Sequence, residues 1–268
     1  MLAKARAFFM KDLISEASYP IAFLGQLGGV LFGALTLYFI SRFLDPAAIP
    51  TLARYGGNYF AFVLIGVAAA GYLGVALNGF AAQVRQAQVL GTLEALLVTQ
   101  TGIPAILFGS SLYSFALTSL RVVLYFLVGV LVLGLSLGEA NVGAALVILA
   151  LTIVAFAGMG ILSASVIMVL KKGSPVNWLF NSMSWLLGGV FYPVAVLPEW
   201  MQKVAAFLPI THTLEGMRLA LLRGYGLREL LPQIAPLLLF IVIVVPLSAV
   251  VFAWAVRRAK RDGSLTHY

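Results

Sequence analysis

Long uninterrupted apolar runs, with polar positions gathered between them, set the pattern of this chain. Six runs reach the roughly 20 helical residues needed to cross a hydrocarbon core of about 30 Å: residues 21–40, 59–79, 103–135, 142–170, 176–197 and 234–256. None shows the two-residue alternation of an outer-membrane β-barrel strand. The pattern therefore predicts an all-α membrane protein with six transmembrane helices in one domain, residues 1–268. The third and fourth runs exceed the minimum length, which predicts tilt or projection beyond the bilayer. Ahead of the first run, Phe8, Phe9, Leu13 and Ile14 are interspersed with Lys4, Arg6, Lys11 and Asp12. That amphipathic mixture, with no cleavage site after a short apolar core, predicts an interfacial N-terminal helix and not a signal peptide.

Two connections carry apolar faces of their own. In the second, Gly91-Thr92-Leu93-Glu94-Ala95-Leu96-Leu97 reads as a short helix. Thr92 suits its N-cap, Glu94 favours the dipole in the first turn, and Leu93, Leu96 and Leu97 share a face. That face wants either a partner surface or its own bundle or lipid to rest on. Between the fifth and sixth runs, residues 197–231 predict two helices. Pro198-Glu199-Trp200 opens the first, Leu208-Pro209-Ile210 breaks it, and Thr211 to Arg223 forms the second, ended by Gly224 and Gly226. Both are too apolar for an open loop and too short to span. They predict a re-entrant pair dipping into the outer leaflet or, alternatively, two helices flat on the interface.

Polar residues within the runs are few. Ser110, Ser114, Thr118 and Arg121 fall on one face of the third span, and Asn177, Asn181 and Ser184 on one face of the fifth; Gln26 and Asn78 stand alone. A charge deep in a span costs about 2.5–3.5 kcal/mol on insertion scales and usually faces the bundle or a hydrated cavity. Arg121 is therefore the strongest positional suspect for a transport pathway. Its alternatives are snorkelling to the outer headgroups or a structural pair with Glu139 or Glu199. Gly25, Gly29 and Gly33 form a stripe of small residues on the first span, and Gly66, Ala70 and Gly74 repeat the spacing on the second. Such stripes let helices approach closely, within one chain or between two.

Composition agrees with the pattern. The chain is 62% hydrophobic and 10% charged, against roughly 25% charged in a soluble domain, and its mean hydropathy is +1.04. The net charge of +8 comes from Lys and Arg at the ends of apolar runs, where anionic headgroups attract them; it does not point to nucleic acid. With no cysteine there is no disulfide, thiol nucleophile or thiolate metal site. With the N-terminus cytoplasmic, the inner segments hold Lys4, Arg6, Lys11, Arg85, Lys171, Lys172, Arg257, Arg258, Lys260 and Arg261. The outer ones hold Arg42, Arg54, Lys203, Arg218, Arg223 and Arg228. The excess inside favours both termini in the cytoplasm.

The punctuation of two stretches resembles the type-2 permeases of ATP-binding-cassette exporters, a family that exports drugs, lipids, Nod factors and polysaccharides. Gly91, Thr92, Leu93, Glu94, Leu96 and Leu97 resemble its cytoplasmic coupling segment. Gly188-Gly189-Val190-Phe191-Tyr192-Pro193, then Pro198, Glu199, Trp200, Pro209, Thr211, Glu215 and Arg218, resemble the end of its fifth span and its re-entrant signature. Where the family often has acidic residues before the coupling segment, this chain has Gln83, Arg85, Gln86 and Gln88. The resemblance implies a permease subunit moving an amphipathic, lipid-linked or polysaccharide substrate out of the cytoplasm or inner leaflet of the plasma membrane. It also implies a second permease chain, as a homodimer, and a pathway drawn from Tyr72, Asn78, Asn181, Trp185, Phe191 and Tyr192, with Arg121 added by position.

The chain has no G-x-x-x-x-G-K-[ST] loop, and no Lys follows a Gly, so ATP and Mg would be bound by separate ATPase subunits. No enzyme activity is expected of this chain, and no catalytic residue or metal site is assigned. A stand-alone ion-coupled transporter would place Asp or Glu inside its spans, whereas all nine acidic residues lie outside them or at their margins. A channel would leave the coupling segment unexplained.

Overall fold

The computed structural model describes residues 9–10, 13–14, 20–44, 49–89, 103–170 and 175–261. Among these the architecture is all-helical, with no strand. The helices are α1 (Pro20–Phe43), α2 (Tyr59–Val89), α3 (Ile103–Leu131), α4 (Val142–Leu170), α5 (Pro175–Leu187), α6 (Glu199–Ala206), α7 (Pro209–Arg223) and α8 (Leu231–Arg261). Short 3-10 turns occupy Pro50–Tyr55 and Val194–Val196. The coupling segment and most of the expected interfacial helix lie outside the described residues.

Four helices, α2, α3, α4 and α8, are long and apolar enough to cross a membrane. In α2 the apolar window is 78% buried and in α3 only 11%, so α2 runs through the middle of the bundle while α3 lies at its edge. A helix that is apolar all round and buried needs apolar neighbours on every side. α4 supplies them, packing along α2, α8 and α7. The α2–α4 crossing depends on Gly160, because a Cβ there would stand 2.2 Å from the Ala76 carbonyl oxygen and 2.5 Å from the Phe80 ring. Side-chain oxygens cap two helices: Asn58 accepts from the amide of Ala61 at 3.1 Å to start α2, and Asn141 from that of Ala144 at 3.0 Å to start α4.

The fifth apolar run departs from expectation. Residues 176–197 predict one continuous span, yet α5 has 13 residues, about 20 Å, and ends at Leu187. Gly189 adopts a left-handed φ of 81°, which ends a right-handed helix and suits glycine. Beyond it the chain is irregular to Pro198 apart from the 3-10 turn at Val194–Val196. Hydropathy could not register the break, since residues 188–197 remain apolar.

α6 and α7 follow at once. Pro209 occupies the first turn of α7, and Gly224 closes that helix at φ 67°. α7 is buried along most of its length, from Ile210 to Leu221, and packs on α4, α8 and α2. It is a structural core element carrying polar side chains.

Candidate functional site

Two polar constellations stand out in this apolar bundle. The first surrounds Arg218, on the buried face of α7 and only 2% exposed. Its Nε donates to the Phe62 carbonyl at 3.1 Å and its Nη2 to the Val190 carbonyl at 3.0 Å. Its guanidinium carbon lies 3.4 Å from the centre of the Phe62 ring, a cation–π contact. Val190 belongs to the irregular stretch after α5, where its carbonyl lacks a helical partner. Arg218 thus ties that stretch to α2. Gly66 makes the approach possible, because a Cβ at that position would lie 2.3 Å from the Val190 oxygen and 2.6 Å from Arg218 Nη2.

One turn earlier on α7, Glu215 reaches the connection between α1 and α2. It accepts a short hydrogen bond from the Tyr55 hydroxyl and pairs with Arg54 Nη2 at 2.9 Å. Burial, and after it the charge of Glu215, push the Tyr55 phenol well above its ordinary pKa, so it remains a neutral donor. At the end of α7, Arg223 donates to the carbonyls of Arg54, at 2.9 Å, and Ala53. Three ionic side chains of α7 therefore hold two irregular segments against one buried helix.

The second constellation is a cleft of about 360 Å³ bounded by α1, α2, α3 and α5. Its wall is mainly apolar, with four valines and Ala68 beside Tyr125 and Trp185. Its charged group is Arg121, whose Nη2 donates a short hydrogen bond to Gln26 Oε1 of α1. Arg121 Nε is buried and meets no acceptor among the described residues. Arg121 is ten residues, about 15 Å, from the end of α3 at Leu131. The expected alternatives, Glu139 and Glu199, are not its partners.

Of the residues expected along a pathway, Arg121 and Trp185 line this cleft. Phe191 packs against Trp185 with ring centres 5.4 Å apart, and Tyr192 donates to the Leu186 carbonyl. Tyr72 lies in the core, 1% exposed, its hydroxyl spent on Ser119 Oγ at 2.9 Å. Asn78 is exposed and bonds its own helix at Gly74; Asn181 is half-buried. Asn177 joins three helices, donating to the Leu77 carbonyl at 2.7 Å and accepting from Ser163.

In the expected re-entrant signature, Glu215 and Arg218 share α7 but bond to different segments, Pro209 is buried, and Thr211 Oγ1 is buried without a partner among the described residues. Pro198, Glu199 and Trp200 are exposed. Within the first glycine stripe, Gly33 packs on Tyr125, whereas a Cβ at Gly25 or Gly29 would meet nothing within 4 Å. Tyr55 and Tyr125 were not legible as site residues. Gln26 had a signal: it is a lone amide in one span, and Arg121 is a lone charge in another. Among the described residues, no group of His, Asp and Glu is arranged to hold a metal.

Membrane-length helices, an apolar bundle and a cleft holding a mid-helix cation define a multi-pass membrane protein. The chain belongs to the ABC-2 type transporter family, whose family model matches residues 19–222, from the start of α1 almost to the end of α7. It is thus the transmembrane permease component of an ABC transporter, a membrane domain and not a catalytic one, of a kind that works with ABC ATPase subunits. No curated protein matches the chain in sequence.

Proposed function

We propose that this chain is the membrane half of an ATP-driven exporter in the inner (plasma) membrane. It moves an amphipathic, lipid-linked or polysaccharide substrate out of the cytoplasm or the inner leaflet. The observation that carries this reading is the Arg121 cleft, a cation-bearing cavity between long apolar helices within the family-matched region. α1, α2, α3, α4, α5 with its irregular extension, and α8 make six spans, with both termini cytoplasmic and α6 and α7 re-entrant from outside. The open face at Gly25 and Gly29 suits close packing against a second copy of the chain. ATP and Mg bind on separate ATPase subunits, which grip residues 92–98.

Topology is testable in this cysteine-free chain by introducing single cysteines. A cysteine at Asp262 is expected to label only from the cytoplasm and one at Arg228 only from outside. External labelling at Asp262 would reject the orientation.

Coupling is tested by replacing Leu96 and Leu97 with alanine. Each buried leucine contributes roughly 1.5–3 kcal/mol, so the double variant is expected to lose co-purification of the ATPase and ATP-driven transport while inserting normally. A variant that retains both would reject residues 92–98 as the coupling element and, with it, this mechanism.

A further inference from the structure

We propose that the Arg121 cleft is an oxyanion site, taking the phosphate or carboxylate headgroup of an amphiphile, with Gln26 holding the guanidinium until the headgroup arrives. This deepens the exporter reading and rests on it for the direction of transport, though not for binding.

The charge balance of the cleft carries the argument. A guanidinium halfway along an apolar helix needs compensation, and none of the described residues lining the cleft is a carboxylate. Its described partner is the neutral amide oxygen of Gln26, which supplies one acceptor where a guanidinium presents five donors. Nε is buried and meets no acceptor among the described residues. An oxyanion would meet Nε and an Nη together, the paired geometry in which Arg holds carboxylates and phosphates. Gln26 Oε1 occupies the position one such oxygen would take.

The remainder of the cleft fits the rest of such a molecule. A volume of about 360 Å³ lies within the roughly 300–1,000 Å³ of small-molecule sites. Val30, Val67, Val75 and Val122 offer an acyl chain a dry wall. A cationic amphiphile would face Arg121 unscreened, and a neutral one would leave Nε unmatched.

The test uses dodecyl phosphate, with dodecyl maltoside as the uncharged comparison, on the purified full-length chain in neutral detergent. Binding is read from tryptophan fluorescence, to which Trp185 reports from the cleft wall, so no ATPase is required. Dodecyl phosphate is expected to bind tighter than dodecyl maltoside. Arg121→Gln is expected to weaken it by about tenfold or more, the loss of a hydrogen bond to a charged group, with the melting temperature retained. Gln26→Ala, which removes the competing amide, is expected to tighten binding severalfold. Equal binding of the two amphiphiles, or an unchanged affinity in Arg121→Gln, would overturn the proposal.

A second arm uses the complex with its ATPase and separates the two sources of such a headgroup. Stimulation of ATP hydrolysis by dodecyl phosphate identifies transported substrate, and Arg121-dependent binding without stimulation identifies a resident lipid; each supports the oxyanion site. If the chain engages no ATPase, the exporter reading fails while the binding result stands by itself.

Discussion

Replacing Arg218 with methionine is expected to destabilise the protein by about 2–4 kcal/mol. Two hydrogen bonds from a charged donor, each worth about 1.5–3 kcal/mol, disappear with the guanidinium, and the cation–π contact with Phe62 goes with them. Part of that loss is offset because a charge no longer has to be buried. The sharper consequence is local. The Val190 carbonyl, on a residue only 1% exposed, is abandoned in an apolar interior where neither helix nor water replaces its partner.

Arg218→Lys is not expected to rescue the protein. A single ammonium cannot fork between a carbonyl on α2 and another after α5. Thermal melting in detergent checks both variants, with a fall of at least about 5 °C expected from the scaling for chains of this size. Under the proposed topology, which puts residues 92–98 on the other side of the membrane, co-purification of the ATPase is expected to persist. A methionine variant that melts with the parent would show that Arg218 does not hold the irregular segment in place.

Gly160→Ala and Gly66→Ala are expected to be more damaging still. The added methyl would lie 2.2 Å from the Ala76 oxygen in the first case and 2.3 Å from the Val190 oxygen in the second. Both obstacles are backbone atoms, so relief requires whole segments to separate. Overpacking a core costs about 1–3 kcal/mol, occasionally more, and these two substitutions are expected at or above the top of that range. Gly74→Ala is the control on the same helix as Gly66, since a Cβ there meets nothing within 4 Å. It is expected to be neutral or up to about 1 kcal/mol stabilising, because alanine is the better helix former. Melting of all three in parallel decides the matter. A Gly160→Ala protein as stable as the Gly74→Ala control would mean that the α2–α4 approach is looser than described.

The two buried constellations divide the chain's polar groups in a way their types alone do not announce. Arg121 and Arg218 are both arginines in apolar surroundings. Arg218 has its donors answered by carbonyls and a ring, and it fixes structure. Arg121 keeps a donor that meets no acceptor among the described residues, and it lines a cavity. Tyr72 and Trp185 separate similarly, one closed into the core and the other on the cleft wall.

The sequence by itself determined the membrane class, the order of the apolar segments and the ends of α4, which coincide with residues 142–170. These depend on local sums: apolar residues accumulated over the thickness of a bilayer, and capping groups a few positions away. It also located α6 from Pro198 and the end of α7 from Gly224, whose backbone preferences act where they stand, although α7 begins at Pro209 and not at the expected Thr211. Only the tertiary structure decided that helix α5 stops at Leu187, that Arg218 reaches Val190 across 28 residues, and that Arg121 meets Gln26 across 95. The physical reason is that hydropathy measures what a residue loses in leaving water. Whether a buried charge or carbonyl is then satisfied depends on which distant segment packs against it, and no local window contains that partner.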